Sequence, residues 1–347
     1  MNPATAFSLV RAGYEAAVET RPDELCESLV TFADRPARIR IVGRDLAGQI
    51  MPPIAHLETP DDCVTDPALT VELWDEHATA VPFVFRLGGY RKVSPRVESK
   101  HSGKRFFVNS HQSTTLCLDR DAGRIVGFSK RADNLSLYER GRPLHMALTQ
   151  WHNDLEIPVV HAALVSKGGK GVLFAGPAGV GKSTCAVACL CSGFNYLSDD
   201  LIALEEVRDH SFRGHSLYSS TYFEADHLRR FPTLAPHATG GRRSGDDKLL
   251  VLLHAVLPSR IMRTARIHAV VLPEISYEER STIRSASPAK ALLALAPQSL
   301  SINRQLGRVG FGKLGRLVER VPSFHLLLGR DLQQVVAIVE QLVIEIS

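Results

Sequence analysis

The residues Gly176-Pro177-Ala178-Gly179-Val180-Gly181-Lys182-Ser183-Thr184 fit the pattern G-x-x-x-x-G-K-[ST] in full. Each type has a chemical reason to be there. The glycines let the backbone approach a phosphate chain without a Cβ in the way. Lys182 can reach the β- and γ-phosphates as a point charge, and the Ser183 hydroxyl suits Mg²⁺. The run Gly171-Val-Leu-Phe-Ala175 before the loop reads as a buried strand, and Thr184-Cys-Ala-Val-Ala-Cys-Leu190 after it reads as the first turns of a helix. Strand, glycine loop and helix turn backbone N–H groups and a helix N-terminus toward phosphate. The expected ligands are ATP and Mg²⁺, with the whole stretch 176–184 lining the nucleotide.

A second group follows. Ser198-Asp199-Asp200 places its first aspartate 16 residues past Ser183. It lies between two apolar runs, at the edge of a strand expected beside the loop strand. One carboxylate could hold Mg²⁺ while the other takes a proton from an attacking hydroxyl. Asp-Asp is also common in solvated turns. Residue type alone leaves the order of the two roles open, because coupled carboxylates share their titration. His161 lies 15 residues before Gly176, at the start of an expected strand. It reads either as a structural histidine or as a group that bonds a phosphoryl oxygen or assists proton transfer.

Together, His161-Ala-Ala-Leu-Val165, the loop and Ser198-Asp199-Asp200 resemble the HPr kinase/phosphorylase family, and more closely the HPr-kinase-like serine kinases. The resemblance covers residues 157–206 well. It is looser toward the C-terminus, where Val321–Asp331 looks like a closing strand and the start of a helix. It implies a kinase core similar to that of phosphoenolpyruvate carboxykinase and transfer from ATP, with Mg²⁺, to a protein serine. Carried over by position, Lys182 and Ser183 hold phosphates and metal, Asp200 is the metal-side carboxylate, Asp199 is the base, and His161 sits by the transferred phosphoryl group. The bifunctional enzymes carry a Glu-x-Arg-Gly-x-Gly type segment downstream. Here that region reads Phe212-Arg213-Gly214-His215-Ser216-Leu217-Tyr218, and only Arg-Gly remains. That argues against carrying over phosphorylase activity or HPr itself as acceptor. Relatives with such cores act on other acceptors, precursor peptides among them, and assemble as homo-oligomers.

These groups need a scaffold. The chain has 347 residues, 44% hydrophobic and 22% charged, enough for two domains with real cores. The expectation is an α/β fold: a P-loop kinase core with a mixed central sheet over 151–347, preceded by a β-rich (α+β) N-terminal domain over 1–150. Residues 5–31 read as mostly helical with a break before Pro22, and Phe7, Val10, Tyr14 and Ala17 form its buried stripe. Strands are expected at 38–42, 71–74, 81–85, 105–108, 115–118 and 124–128, with a hairpin turn at 119–123. A short helix over 143–152 leads into the second domain. Its strands are expected at 161–165, 171–175, 195–200, 201–205 and 267–272, and its amphipathic last helix, capped by Asp331, over 331–346.

Other features are weaker. No run is long and apolar enough for a membrane helix, and the N-terminus lacks a signal-peptide pattern, so the expected location is cytoplasmic. A net charge of +4 does not argue for nucleic acid. Lys100, Lys104 and Arg105 beside His101, Phe106 and Phe107 mix basic and aromatic types, but strand alternation accounts for them. Cys185 and Cys189 read as small hydrophobes on one helix face, apart from Cys26, Cys63, Cys117 and Cys191. Arg242, Arg243 and Lys248 in a glycine-rich loop could close over the nucleotide, or simply be solvated. Arg260, Arg263 and Arg266 could share an exposed helix face. The leading expectation is an ATP-dependent kinase acting on a protein, a peptide or a small hydroxyl compound. Its rivals are a P-loop ATPase or nucleotide-dependent switch without an acceptor, and a degenerate regulatory adaptor.

Overall fold

Asn2 and Pro3 start the first helix, α1 (Pro3–Thr20): the Asn2 side chain accepts the Thr5 N–H at 2.8 Å, and Pro3 sits where no N–H is needed. The computed structural model describes residues 2–60, 66–83, 91–94, 97–102, 105–111, 113–240, 248–276, 278–302 and 307–346. They fall into two compact units, Met1–Asp154 with Thr239–Leu250, and Leu155–Ala238 with Val251–Ser347. Residues 239–250, read from sequence as part of the second domain, thus group with the first unit. No helix among the described residues is long and apolar enough to cross a membrane.

In the first unit, α1 buries Phe7, Val10, Tyr14 and Ala17 as their spacing predicts. The helix does not run on to residue 31. It stops before Pro22, and Leu25–Phe32 is a strand, β1, paired antiparallel with β2 (Arg35–Val42). The physical reason is twofold. Pro22 disfavours helical dihedrals at Arg21. Ala33 and Asp34, both at positive φ, then make a tight turn that lets β1 pair with β2. The remaining strands are β3 (Leu69–Asp75), β4 (Arg91–Ser94), β5 (Val97–Ser102), β6 (Phe106–His111), β7 (Thr114–Asp119) and β8 (Arg124–Ser129). The sheet order is β1-β2-β3-β8-β7-β6-β5-β4, with β3 parallel to both β2 and β8. Helix α1 packs with Trp74, Val108, Cys117 and Val126 on one face. Short helices α2 (Arg44–Ile50), α3 (Glu76–Thr79) and α4 (Leu137–Gly141) and the longer α5 (His145–Asp154) complete the unit. Val81–Phe83 is not a strand; its Val81 carbonyl accepts the Trp74 indole N–H at 3.0 Å. Val84, Phe85, Cys63, Lys104, Arg242 and Arg243 lie outside the described residues. Arg105 is bonded to Asp119 at 2.8 Å, and Phe107, Val108 and Asn109 are all buried, so burial along β6 does not alternate.

The second unit opens with β9 (Val159–His161), β10 (Ala163–Lys167) and β11 (Lys170–Phe174). Helix α6 (Lys182–Cys191) follows the glycine loop, then β12 (Asn195–Ser198), β13 (Leu201–Glu206), β14 (Phe212–Ser216), β15 (Ser220–Glu224) and α7 (Ala225–Leu228). Short strands β16 (Thr239–Gly240) and β17 (Lys248–Leu252) pair antiparallel and group, up to Leu250, with the first unit; α8 (Leu253–Val256) belongs to the second. The rest of the second unit is β18 (Thr264–Ile275), β19 (Thr282–Ala286), α9 (Pro288–Ile302), α10 (Gly307–Arg320), β20 (Ser323–Leu328) and α11 (Leu332–Glu345). The central sheet runs β12-β10-β11-β18-β14-β13-β9, with β20 on β18 and β19 on β20. It is mixed: β18 is parallel to β11 and β20 but antiparallel to β14. Asp331 caps α11 by accepting the Gln333 N–H at 2.8 Å.

Three sequence expectations change here. The strand expected at 161–165 is two strands, because the chain changes sheet neighbours at Ala162. Strand β12 pairs with β10, not with the loop strand β11, but antiparallel pairing of both to β10 still brings the ends of β11 and β12 to the same edge. Arg260, Arg263 and Arg266 do not share a helix face: they fall in a 3₁₀ turn, a bend and β18.

Candidate phosphate-loop site

The loop leaves β11 at Phe174, with the Ala175 N–H bonded to the Val271 carbonyl at 2.9 Å. Gly176, Gly179 and Gly181 take φ values of +150°, +86° and +103°, a region that favours glycine. Gly181 has a second reason. A Cβ there would stand 2.6 Å from Leu328 Cδ1, at the end of β20. The glycine starts α6 without a side-chain cap, and the first helical residues are Lys182, Ser183 and Thr184. Cys185 and Cys189 are buried in this helix and their thiols are pushed up by burial, to about 12 for Cys185, while Cys191 is exposed. They are packing residues rather than a thiolate cluster.

Lys182 is buried, and its ammonium donates to the carbonyls of Gly176 and Pro177 at 2.8 and 2.9 Å. Burial pushes its pKa down to about 8, against the opposing pull of the Asp200 and Asp199 charges. The lysine therefore lies in the field of both carboxylates.

The acidic pair sits where two long segments part. Leu164 of β10 faces Ser198 of β12, and His161 of β9 faces Leu201 of β13. Between those pairings the ladder opens, held by the Ala162 N–H on the Asp200 carbonyl at 3.1 Å. The Ser198 hydroxyl shapes the turn, donating to the Leu201 carbonyl and accepting the N–H groups of Asp200 and Leu201. His161 Nε2 and Asp200 Oδ1 come within 2.7 Å. The other ring nitrogen, Nδ1, is buried without a hydrogen-bond partner among the described residues. Ser299 of α9 fixes the histidine's backbone by accepting its N–H at 3.1 Å. Asp199 is buried; its carbonyl accepts the Ser183 hydroxyl at 3.4 Å and its Oδ2 accepts the Thr221 hydroxyl at 2.5 Å.

The structure thus brings Lys182, Ser183, Asp199, Asp200 and His161 together at one edge of the sheet. Their donor set is a hydroxyl and two carboxylates, hard oxygen ligands of the kind Mg²⁺ takes, and the residues fit that ion. Sequence reasoning missed Thr221 and Ser299. Neither carries a local signal: Thr221 lies in the buried run Ser219-Ser220-Thr221, and Ser299 is one small residue inside a helix.

No family model matches the sequence, and no curated protein matches it either. Among solved structures, the chain is similar to the Hpr(Ser) kinase/phosphatase from Coxiella burnetii, with 13% identity over 54% of this chain and 98% of that one and a TM-score of 0.29.

Proposed function

We propose that the chain is a phosphotransferase that moves the γ-phosphoryl group of ATP to a hydroxyl, on a serine of a protein or peptide or on a small compound. The observation that carries this reading is the joining of His161 to Asp200 at 2.7 Å within the field of Lys182, the lysine of a complete phosphate-binding loop. A loop that only held nucleotide would need neither the buried Asp199 nor the histidine–aspartate pair.

Lys182 and the loop N–H groups bind and orient the triphosphate. Ser183 and Asp200 would hold Mg²⁺, which screens charge on the phosphate oxygens. Asp199 takes the acceptor's proton. The acceptor oxygen forms its bond to the γ-phosphorus as the bond from that phosphorus to the β–γ bridging oxygen breaks, and the electron pair leaves on ADP. His161 is bonded through Nε2 to Asp200. A second reading exchanges the aspartates. Asp199 is more buried and its Oδ2 is taken up by Thr221, whereas the His161 contact makes Asp200 half of an imidazole–carboxylate pair suited to proton transfer.

The test is incubation with γ-labelled ATP, Mg²⁺ and a lysate of the source cell. Label on an acceptor supports a kinase; label released only as inorganic phosphate supports the ATPase or switch. Asp199→Asn should abolish transfer with nucleotide binding retained. If Asp199→Asn keeps the wild-type rate and Asp200→Asn loses it with binding intact, the second reading stands.

A further inference from the structure

The first unit contains an open-mouthed pocket that has no part in phosphoryl transfer. It lies on the sheet face opposite α1. Register explains its floor. Leu73, Gly127, Leu116 and Asn109 face one another in turn across β3, β8, β7 and β6. They form one cross-strand row on one face. The row is apolar until its last member. Asn109 is buried, lines the pocket, and leaves its side-chain Nδ2 without a hydrogen-bond partner among the described residues. An amide in that position is costly unless something accepts its hydrogen.

The remaining walls divide by chemistry. Leu46 and Ile50 from α2, with Phe128 and Leu144, give an apolar lining. The polar lining includes His111, Tyr138, Glu139 and Arg142. The Glu139 carboxylate is turned to the protein: it accepts the N–H groups of Ser113, Thr114 and Ser136 and the hydroxyls of Thr114 and Ser136. Tyr138 and His145 are bonded to each other at 3.0 Å. The Arg142 guanidinium lies over the Tyr138 ring at 5.5 Å and brings positive charge to the lining. A largely apolar chamber whose lining includes a buried amide with no partner among the described residues, and an arginine, suits a small apolar molecule with an acceptor head.

We propose that this pocket binds a small carboxylate with an apolar tail, of the medium-chain acyl or similar type, its head accepting from Asn109 Nδ2 and its tail lying along Leu73, Leu116 and Ile50. This site stands independently of the phosphate loop. The test is calorimetric titration of the full chain with octanoate, octanol and octylammonium. Octanoate binds saturably at one site, octanol about tenfold more weakly for loss of the charged head, and octylammonium more weakly still. Asn109→Asp, of equal size, reverses the order of octanoate and octylammonium. Met146→Trp, at a half-exposed lining position, blocks both. Absence of saturable octanoate binding overturns the proposal, as does octylammonium binding the wild type as well as octanoate does. Unchanged octanoate affinity in Met146→Trp with native circular dichroism overturns it too, and decides the matter alone if Asn109→Asp does not fold.

Discussion

Glu139 holds the first unit together through charge, and its replacement by glutamine is predicted to cost about 3 kcal/mol. Its Oε1 accepts from Ser113 N, Thr114 N and Thr114 Oγ1 at 3.1, 3.1 and 2.9 Å, with His111 Nδ1 at 3.1 Å; its Oε2 accepts from Ser136 N and Oγ at 2.9 and 2.8 Å. Every neighbour is a donor, so an amide must turn its own N–H₂ against at least one backbone N–H. That strands a buried donor, at about 1–3 kcal/mol, and weakens each remaining bond from charge-assisted to neutral. A second route gives the same size. Burial raises the Glu139 pKa, but the His111 contact and the Ser136 donors outweigh it and hold the group at about 2 against an ordinary 4.5. A depression of that size corresponds to about 3 kcal/mol. The sign follows from the depressed folded value: the stabilisation is complete above the ordinary carboxylate range and is lost as pH falls from about 4.5 toward 2. Both tryptophans, Trp74 and Trp151, lie in the first unit, so their fluorescence in urea reports its unfolding. The Glu139→Gln midpoint should lie about 1 M below wild type near neutral pH, and the gap should close on acidification. Equal midpoints near neutrality would refute the charge argument. So would a gap that stays constant down to about pH 3.

Other predictions concern the second unit. Gly181→Ala combines a φ of +103° with a Cβ 2.6 Å from Leu328 Cδ1, and should cost about 1–3 kcal/mol and weaken binding of a fluorescent ATP analogue; an unchanged melting temperature and affinity would contradict it. Thr221→Val removes the donor on buried Asp199 Oδ2 and should slow transfer about tenfold with nucleotide affinity intact, while Thr221→Ser restores the rate; failure of serine to rescue would make Thr221 a packing residue only. Lys182→Met should weaken ATP binding about 100-fold, read by equilibrium dialysis, and near-normal affinity would mean the lysine stays on its own loop carbonyls when nucleotide binds.

What the sequence disclosed depended on how locally each feature is encoded. The glycine loop was legible because its dihedrals, helix start and charge all come from nine adjacent residues. The α1 stripe and the Asp331 cap were legible for the same reason. Strand β1 was not, because its state is decided by a turn at Ala33-Asp34 and pairing with β2, which outweigh local helical spacing. Thr221 and Ser299 reach the site from 22 residues beyond Asp199 and 138 beyond His161, through sheet topology that no short pattern announces. The pocket of the first unit was silent too: Asn109 looks like any polar residue in Phe106-Phe-Val-Asn-Ser-His111 until the register shows which face it shares.

The opened ladder between 159–167 and 195–206 also bears on how such a site can be inherited. His161 is paired with Leu201, and the Ala162 N–H holds the Asp200 carbonyl, so the separation of the histidine from Asp200 is fixed by strand register and not by the length of chain between them. The turn at Gly168-Gly169 and the segment after α6 can gain or lose residues while the distance from His161 to Asp200 stays put. One residue inserted at Ala162, by contrast, would slip β9 against β13 and turn His161 to the other face. Drift should therefore collect in the intervals and spare the short texts at the crossing, which makes those texts, rather than their spacing or the overall likeness of the chain, the better tag for finding distant kin.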